Sequence, residues 1–341
     1  MIGEHVPLSV AGRRTNLGLL VLLPLAVASG FGAFLVGSGP VVLVVGFHAV
    51  IGVGILLLLP WKSMIARRGL RRRRAGRGTS VALAVLVVLT LVTGFAHSTG
   101  LLRTVDGYGV LLIHVGSGLL VIVPAALHIR RRRIRPRRTD MSRRSLLRGG
   151  ILSAAAVTGY LAVEGLVIGL SLPGTGRRAT GSYQLASAEP AAVPSTSWMF
   201  DSIPTTSIGD WRLEVRHHDE VRLWSLADLN AINDEVTAVL DCTGGWWTEQ
   251  TWTGARVATL LPVGTTGTVT VISATGYRRR LPLTDDLLLA TGFGGRPLSA
   301  GHGAPLRLVV PGRRGYHWVK WVVRMDVDDA PWWIEPPLPL H

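Results

Sequence analysis

The residue whose type and setting most invite chemistry is Cys242, the one cysteine among 341 residues, which lies in Asp241-Cys-Thr-Gly-Gly-Trp-Trp247. A lone cysteine forms no internal disulfide, so its thiol either packs as a small hydrophobe or works as a thiolate. It follows a strand-like run, Thr237 to Leu240, and precedes Gly244-Gly245 and two tryptophans. A thiolate at a strand end, with glycines admitting close backbone approach and aromatics excluding water, suits a soft metal-ligand site. A structural zinc site would need several Cys or His ligands at short intervals, and the sequence around Cys242 does not supply them. A Cys–His nucleophile pair is the alternative; His217, His218, His302 and His317 lie in the same half of the chain, and the spacing selects none of them.

A second set of chemical residues lies inside apolar runs: His48, His97, His114 and His128. Ionisable groups within a bilayer are costly enough that function is the first hypothesis. His114 and His128 are fourteen residues apart on one predicted helix, which separates them by about 21 Å and returns them to within roughly 40° of one face. This spacing resembles the histidine pairs of membrane b-type cytochromes. His48 and His114 each fall about seven residues into helices that run the same way, roughly 10 Å below one surface, so they can share one haem iron. The residue fourteen beyond His48 is Lys62, which leaves His128 as the ligand of a second haem without an evident partner. His97 suits a loop histidine, a haem-propionate contact or a quinone-site group. Glu164, in a fifth apolar run, is given no role.

The elements that must position these groups begin with four apolar stretches, 17–37, 41–61, 80–97 and 107–128, each close to the roughly 20 residues a helix needs to cross a bilayer. Arginine blocks follow the second and the fourth: Arg67, Arg68, Arg71 to Arg74 and Arg77, then Arg130 to Arg133 and Arg135 to Arg138 around Pro136. Short basic loops stay cytoplasmic, which places the N-terminus with Arg13 and Arg14 inside. The formal charge of +15 is concentrated beside apolar runs and so indicates membrane topology rather than nucleic acid. Before a fifth apolar segment, 149–172, Met141-Ser-Arg-Arg-Ser-Leu-Leu-Arg148 resembles a twin-arginine export signal. As a plain basic flank it would give the same topology. The expected order is a cytoplasmic N-terminus (1–16), a four-helix, haem-binding transmembrane domain (17–128), a basic cytoplasmic loop (129–148), a fifth transmembrane helix (149–172), a linker (173–196) and an exported domain (197–341).

In the exported part, strand-like runs occur at 211–215, 236–240, 269–273, 306–310 and 318–323, with helix signals at Ser225 to Ile232 and Arg256 to Leu261. Cys242-Thr-Gly-Gly-Trp-Trp, Trp252-Thr-Gly-Ala-Arg256, Gly301-His-Gly-Ala-Pro-Leu-Arg-Leu-Val-Val-Pro-Gly312 and Gly315-Tyr-His-Trp-Val-Lys-Trp321 together resemble the molybdopterin-binding domain of the sulfite oxidase family, over about 196–330. The expected fold is a membrane α-helical bundle of five transmembrane helices followed by a mixed α+β domain of that type. The resemblance implies that Cys242 binds molybdenum, that His302 lies near the pterin, that Arg307 and Lys320 hold the cofactor phosphate, and that His317, Arg314 and Thr275 add to the cofactor pocket. Cations and forked donors suit a phosphorylated anionic group. Trp198 to Phe200 stand where relatives place Asn and Tyr, and Gly244 to Trp247 replace an arginine that sulfite oxidases carry soon after the metal cysteine.

An aromatic wall suits a less charged substrate than sulfite, although Arg256, Arg278 or Arg279 could supply the missing charge. The sequence therefore predicts a multi-pass protein of the cytoplasmic membrane, with its C-terminal domain outside. It would carry molybdenum-molybdopterin and haem b and pass electrons between membrane quinone and a small-molecule S-oxide or N-oxide, with no nucleic-acid partner. A sulfite-type dehydrogenase working in reverse, or a non-catalytic exported binding module on a membrane anchor, are the alternatives. Oligomeric state is left open.

Overall fold

The computed structural model describes residues 8–70, 76–132, 134, 136–198, 201–205 and 210–339. The readings placed on Arg71 to Arg74, Arg133, Arg135, Met199 and Phe200 lie outside these residues. The chain divides into two compact units, Met1–Phe34 with Gly39–Gly181, and Leu35–Ser38 with Ser182–His341.

The first unit contains α1 (Leu8–Leu35), α2 (Val41–Leu70), α3 (Arg77–Thr99), α4 (Val110–Arg131) and α5 (Arg143–Gly169). All five are long and apolar enough to cross a membrane. Pro24, Pro60 and Pro124 lie within α1, α2 and α4. Between α3 and α4 the expected helix start at 107 gives way to a hairpin, β1 (Thr104–Val105) and β2 (Tyr108–Gly109). Asp106 and Gly107 turn it with φ of 48° and 81°, the left-handed pair that an Asp-Gly dipeptide favours. Arg13, at the start of α1, makes a two-pronged ion pair with Asp140 at 2.7 and 2.9 Å, so the N-terminal arginines and the basic segment before α5 lie at one end of the bundle. Glu164 in α5 pairs with Arg177, whose guanidinium also donates to the Ser98 carbonyl at the end of α3. A carboxylate in a helix long and apolar enough to cross a membrane thus has its countercharge.

The second unit holds two sheets. One contains β3 (Tyr183–Gln184), β6 (Asp234–Asp241), β7 (Trp246–Arg256), β10 (Leu288–Phe293), β11 (Arg296–Pro297) and β12 (Arg307–Val309). The other runs in the order β5 (Glu220–Ser225), β4 (Arg212–His217), β13 (Val322–Asp328), β8 (Thr268–Ser273) and β9 (Arg278–Pro282). In β4, Leu213 and Val215 are buried between outward Arg212, Glu214 and Arg216, the alternation of a half-buried strand. β10 is buried on both faces. Its apolar residues join Trp252, Leu306, Val319 and Met325 in a single core. α6 (Leu226–Ile232) starts where Ser225 and Asp228 cap each other.

Two expected elements differ. The run 318–323 is a strand only from Val322, because a 3-10 turn, Gly315–His317, precedes it and Trp321 takes a left-handed φ of 53°. The helix signal at Arg256 to Leu261 is a four-residue 3-10 turn, Val257–Leu260. Residues 173–196 contribute β3, which pairs in parallel with the start of β7.

Candidate functional site

Cys242 stands in the hairpin between β6 and β7. Its amide donates to Trp246 O at 2.9 Å, and the Gly245 amide donates back to Cys242 O at 3.2 Å. Gly245 has φ 90°, a conformation open to glycine at little cost. The Gly244 amide donates to Cys242 Sγ at 3.3 Å, and Thr196 Oγ1 lies 3.4 Å from the same sulfur.

Behind this hairpin Arg314 Nη1 meets Asp241 Oδ1 at 2.5 Å with both side chains buried, and Ser182 Oγ donates to the same carboxylate oxygen at 2.7 Å. The arrangement anchors the residue next to Cys242. It also directs the Arg314 guanidinium to Asp241. Breaking a buried pair by removing one charge costs about 3–5 kcal/mol, whereas replacing both partners by apolar groups of similar size is often close to neutral. Asp241→Leu is therefore expected to destabilise the full chain by that amount in denaturant unfolding, and Asp241→Leu with Arg314→Met to recover most of it. Equal stability of the single variant and the wild type would contradict this.

Cys242 shares one cavity with Arg307, Lys320, Trp198, Asp201, Trp246, Tyr277, Tyr316 and Trp318. Arg307, at the start of β12, is 4% exposed. Its Nη1 donates to His302 O at 3.2 Å, and its guanidinium lies 5.4 Å from the Trp252 ring centre and 5.7 Å from that of Trp318. Its buried Nε has no hydrogen-bond partner among the described residues. Burial pushes this arginine down to about 10, against an opposing pull from Cys242. Lys320 Nζ donates to Gly301 O. Burial, and then repulsion from Arg307, bring Lys320 down to about 7, against opposing pulls from Cys242 and Asp201.

The Lys320 shift has a pH consequence whose sign can be worked out. Because the folded lysine titrates below its ordinary value, the unfolded chain binds more protons between about pH 7 and 10.5, and the empty fold gains stability from this group as pH rises through that window. An anion in the cavity favours the protonated amine, so anion binding takes up a proton and weakens as pH rises through about 7. Protection of the full chain from thermal unfolding by inorganic sulfate is expected to fall between about pH 6 and pH 8, by up to about tenfold in affinity per unit. Lys320→Met should flatten the profile; an unchanged profile in that variant would overturn the assignment.

The other sequence candidates are not among the residues that line this cavity. His302 is engaged at both ring nitrogens, Nδ1 with Ser299 Oγ at 2.7 Å and Nε2 with Val193 O at 3.0 Å, and burial lowers its pKa. His317 is buried, with its ring 4.2 Å from that of Tyr316, and burial followed by Arg279 and Arg313 brings it down to about 3. It is therefore neutral at physiological pH. Thr275 Oγ1 lies 2.9 Å from Ser273 Oγ in the turn between β8 and β9. Arg256 donates to Asp285 O and Glu235 O, Arg278 is exposed, and Arg279 stacks on Tyr316 at 5.4 Å.

In the first unit, the His48 and His114 rings approach with centroids 5.9 Å apart and planes at 81°. Their tautomers follow from their partners. Ser29 Oγ donates to Leu25 O at 2.7 Å and so accepts from His48 Nδ1 at 3.0 Å, while Thr90 O can only accept from His114 Nδ1 at 2.8 Å. Both rings therefore carry the proton on Nδ1 and keep the Nε2 lone pair. His97 is the reverse: its Nε2 donates to Gly181 O at 2.8 Å. His128 Nδ1 meets Ser80 Oγ at 3.1 Å, and Lys62 Nζ donates to Asn16 Oδ1 at 2.7 Å. No cluster of three or more His, Cys, Asp or Glu suited to a metal occurs among the described residues.

Sequence reasoning passed over Gly30 and Gly94. A Cβ at Gly30 would fall 3.0 Å from His48 Cε1, and one at Gly94 would fall 2.8 Å from His114 Cε1. Their signal was a glycine inside an apolar helix, where it lowers helix propensity and calls for a packing reason.

Residues 201–333 match the family described as the oxidoreductase molybdopterin binding domain. The second unit carries that oxidoreductase domain. Over 43 residues the chain is 54% identical to Nitrate reductase [NADPH] of Mycosarcoma maydis, covering 13% of this chain and 4% of that protein. Over 164 residues it is 27% identical to mitochondrial sulfite oxidase of Drosophila melanogaster, covering 37% and 29%. Similarity also extends to the sulfane dehydrogenase SoxCD from Paracoccus pantotrophus, at 26% identity, 37% of this chain, 40% of that chain and a TM-score of 0.35. The chain spans less than a third of the length of these curated relatives.

Proposed function

We propose that the chain is a membrane-anchored, molybdenum-dependent oxidoreductase that passes electrons from membrane quinone through haem b to an S-oxide or N-oxide outside the cytoplasm. The observation that carries this reading is the cavity at Cys242, where a buried arginine has an unpartnered Nε and a half-buried lysine is brought down to about 7. Unpaired buried cations are costly unless an anion joins them, and a phosphorylated pterin is such an anion. Cys242 Sγ would bind the metal, and Arg307 and Lys320 would hold the phosphate. When bound, the molybdenum centre supplies two-electron oxygen-atom exchange.

The protein's own part is then definable. The Gly244 amide donates to the sulfur and would orient it, Trp246 and Trp318 would exclude water, and Lys320 Nζ can hold or release a proton near pH 7. His302 accepts from Arg307 through its carbonyl, His317 packs on the wall residue Tyr316, and Arg314 holds Asp241 beside Cys242; Thr275 bonds Ser273 outside the lining.

His48 and His114, whose ring centroids lie 5.9 Å apart, would together hold one haem iron, which would supply single-electron transfer. Each offers Nε2 while Nδ1–H is held by a second residue, the usual support of a metal histidine. Gly30 and Gly94 leave room beside these rings. His97 spends Nε2 on Gly181 O and is better suited to positioning than ligation. His128 faces no second histidine among the described residues, so one haem is proposed.

The proposal places the basic end of the bundle, with Arg13 and Asp140, in the cytoplasm and the molybdopterin-binding domain outside, after an export signal at Arg143-Arg144. The test uses the purified full chain: stoichiometric molybdenum, a reducible b-type visible spectrum, and reoxidation of dithionite-reduced haem by a sulfoxide or amine oxide. Reduction of oxidised haem by sulfite would reverse the direction, and a chain with neither metal would sink the reading.

A further inference from the structure

The Cys242 cavity is also lined by aromatic side chains and one carboxylate. Trp198 lies with its ring centre 6.4 Å from that of Tyr277 and 6.4 Å from that of Tyr316, with planes inclined by 60° and 46°. Trp198 thus meets both tyrosines at a corner of the cavity, and all three rings line it. Asp201 rides on the same turn as Trp198, its amide donating to Trp198 O at 2.8 Å, and it lines the same cavity. Among the described residues Asp201 makes no ion pair within 4.0 Å.

We propose that this corner is an onium site: the substrate is a small oxide carrying a methylated ammonium or sulfonium centre, held against Trp198, Tyr277 and Tyr316 with Asp201 as its countercharge. The inference rests on the oxide-reduction reading above and names its substrate class. Aromatic faces attract a soft cation through their quadrupole, most strongly when it is desolvated, and cages of this kind recognise quaternary ammonium groups.

With Arg307 and Lys320 matched by an anionic cofactor and Cys242 by its metal, as proposed above, Asp201 would be the remaining charge among the residues lining the cavity. An oxyanion such as sulfite meets no further arginine there, since Arg256 is bound to backbone carbonyls, Arg278 is exposed, and Arg279 lies on Tyr316 without lining the cavity. Arg279 lies over the Tyr316 ring, and Arg313 and Arg314 also act on this tyrosine, so Trp198 and Tyr277 carry most of the attraction. Tyr277 donates its hydroxyl proton to Tyr316 O and offers its ring face. For a trialkylamine oxide the reaction balances simply. The N–O bond breaks as two electrons from a reduced quinone and two protons are taken up, the oxygen leaves as water, and the amine keeps the nitrogen lone pair.

The test compares choline with its uncharged isostere 3,3-dimethylbutan-1-ol by calorimetric titration of the full chain in detergent. Choline is expected to bind at least about tenfold more tightly, and Trp198→Leu and Asp201→Asn each to remove most of that preference. Equal binding of the two compounds, or an unchanged preference in both variants, overturns the onium site. Asp201→Asn nearly preserves shape, so its result stands even if Trp198→Leu fails to fold. Choline preference without turnover of any oxide would support the site and reject the redox reading alone. Turnover of dimethyl sulfoxide and trimethylamine oxide with no choline preference would do the opposite.

Discussion

Serine in place of Cys242 is expected to lower oxide reduction by more than about a hundredfold, since even the outer supports of a metal ligand are worth about 10–100-fold. Serine preserves shape but removes the soft, readily ionised sulfur that suits the metal. Arg307 and Lys320 remain in the cavity, so pterin content should fall much less than turnover. Turnover with a reduced dye, compared with molybdenum and pterin content of the same preparation, separates the two effects. Wild-type turnover in Cys242→Ser would show that the thiol only packs.

The second large effect belongs to the membrane unit. His114→Leu is expected to abolish the b-type spectrum and quinol-driven turnover, while dye-driven turnover and molybdenum content persist. Gly94→Val should act in the same direction without touching a ligand, because its side chain would start 2.8 Å from His114 Cε1 and 2.9 Å from Nδ1. A loss of about 10–100-fold in haem affinity is the expected scale for disturbing a ligand's surroundings. Retention of the full haem spectrum in His114→Leu would exclude the His48 and His114 pair as ligands.

What could be read in advance follows the range of the interaction. The strand ahead of Cys242 and the turn after it are local, encoded by an apolar run and Gly244-Gly245, and β6 does end at Asp241. The closeness of His48 and His114 follows from helix geometry and topology. Arg314 was placed in the cofactor pocket from its neighbours in sequence, yet its guanidinium meets Asp241, 73 residues earlier. No local pattern encodes that pairing. The Asp106-Gly107 hairpin was legible and was passed over because the apolar run seemed continuous with it. Trp318 to Trp321 have the composition of a strand, but the preceding turn and the left-handed Trp321 delay the ladder until Val322. Which ring nitrogen each histidine keeps depends on hydrogen-bond partners and was beyond reach of the sequence.

The buried Arg307 has a consequence for how finished molecules are sorted from unfinished ones. A domain that encloses a cation lacking a full set of partners is less stable empty than loaded, and any ligand confined to the native state adds stability in proportion to the logarithm of its occupancy. Empty chains then open more often and meet proteases first, while loaded chains survive. If Arg307 holds the cofactor as proposed, the same guanidinium would act as a proofreading device, making completeness of the molecule a condition of its lifetime.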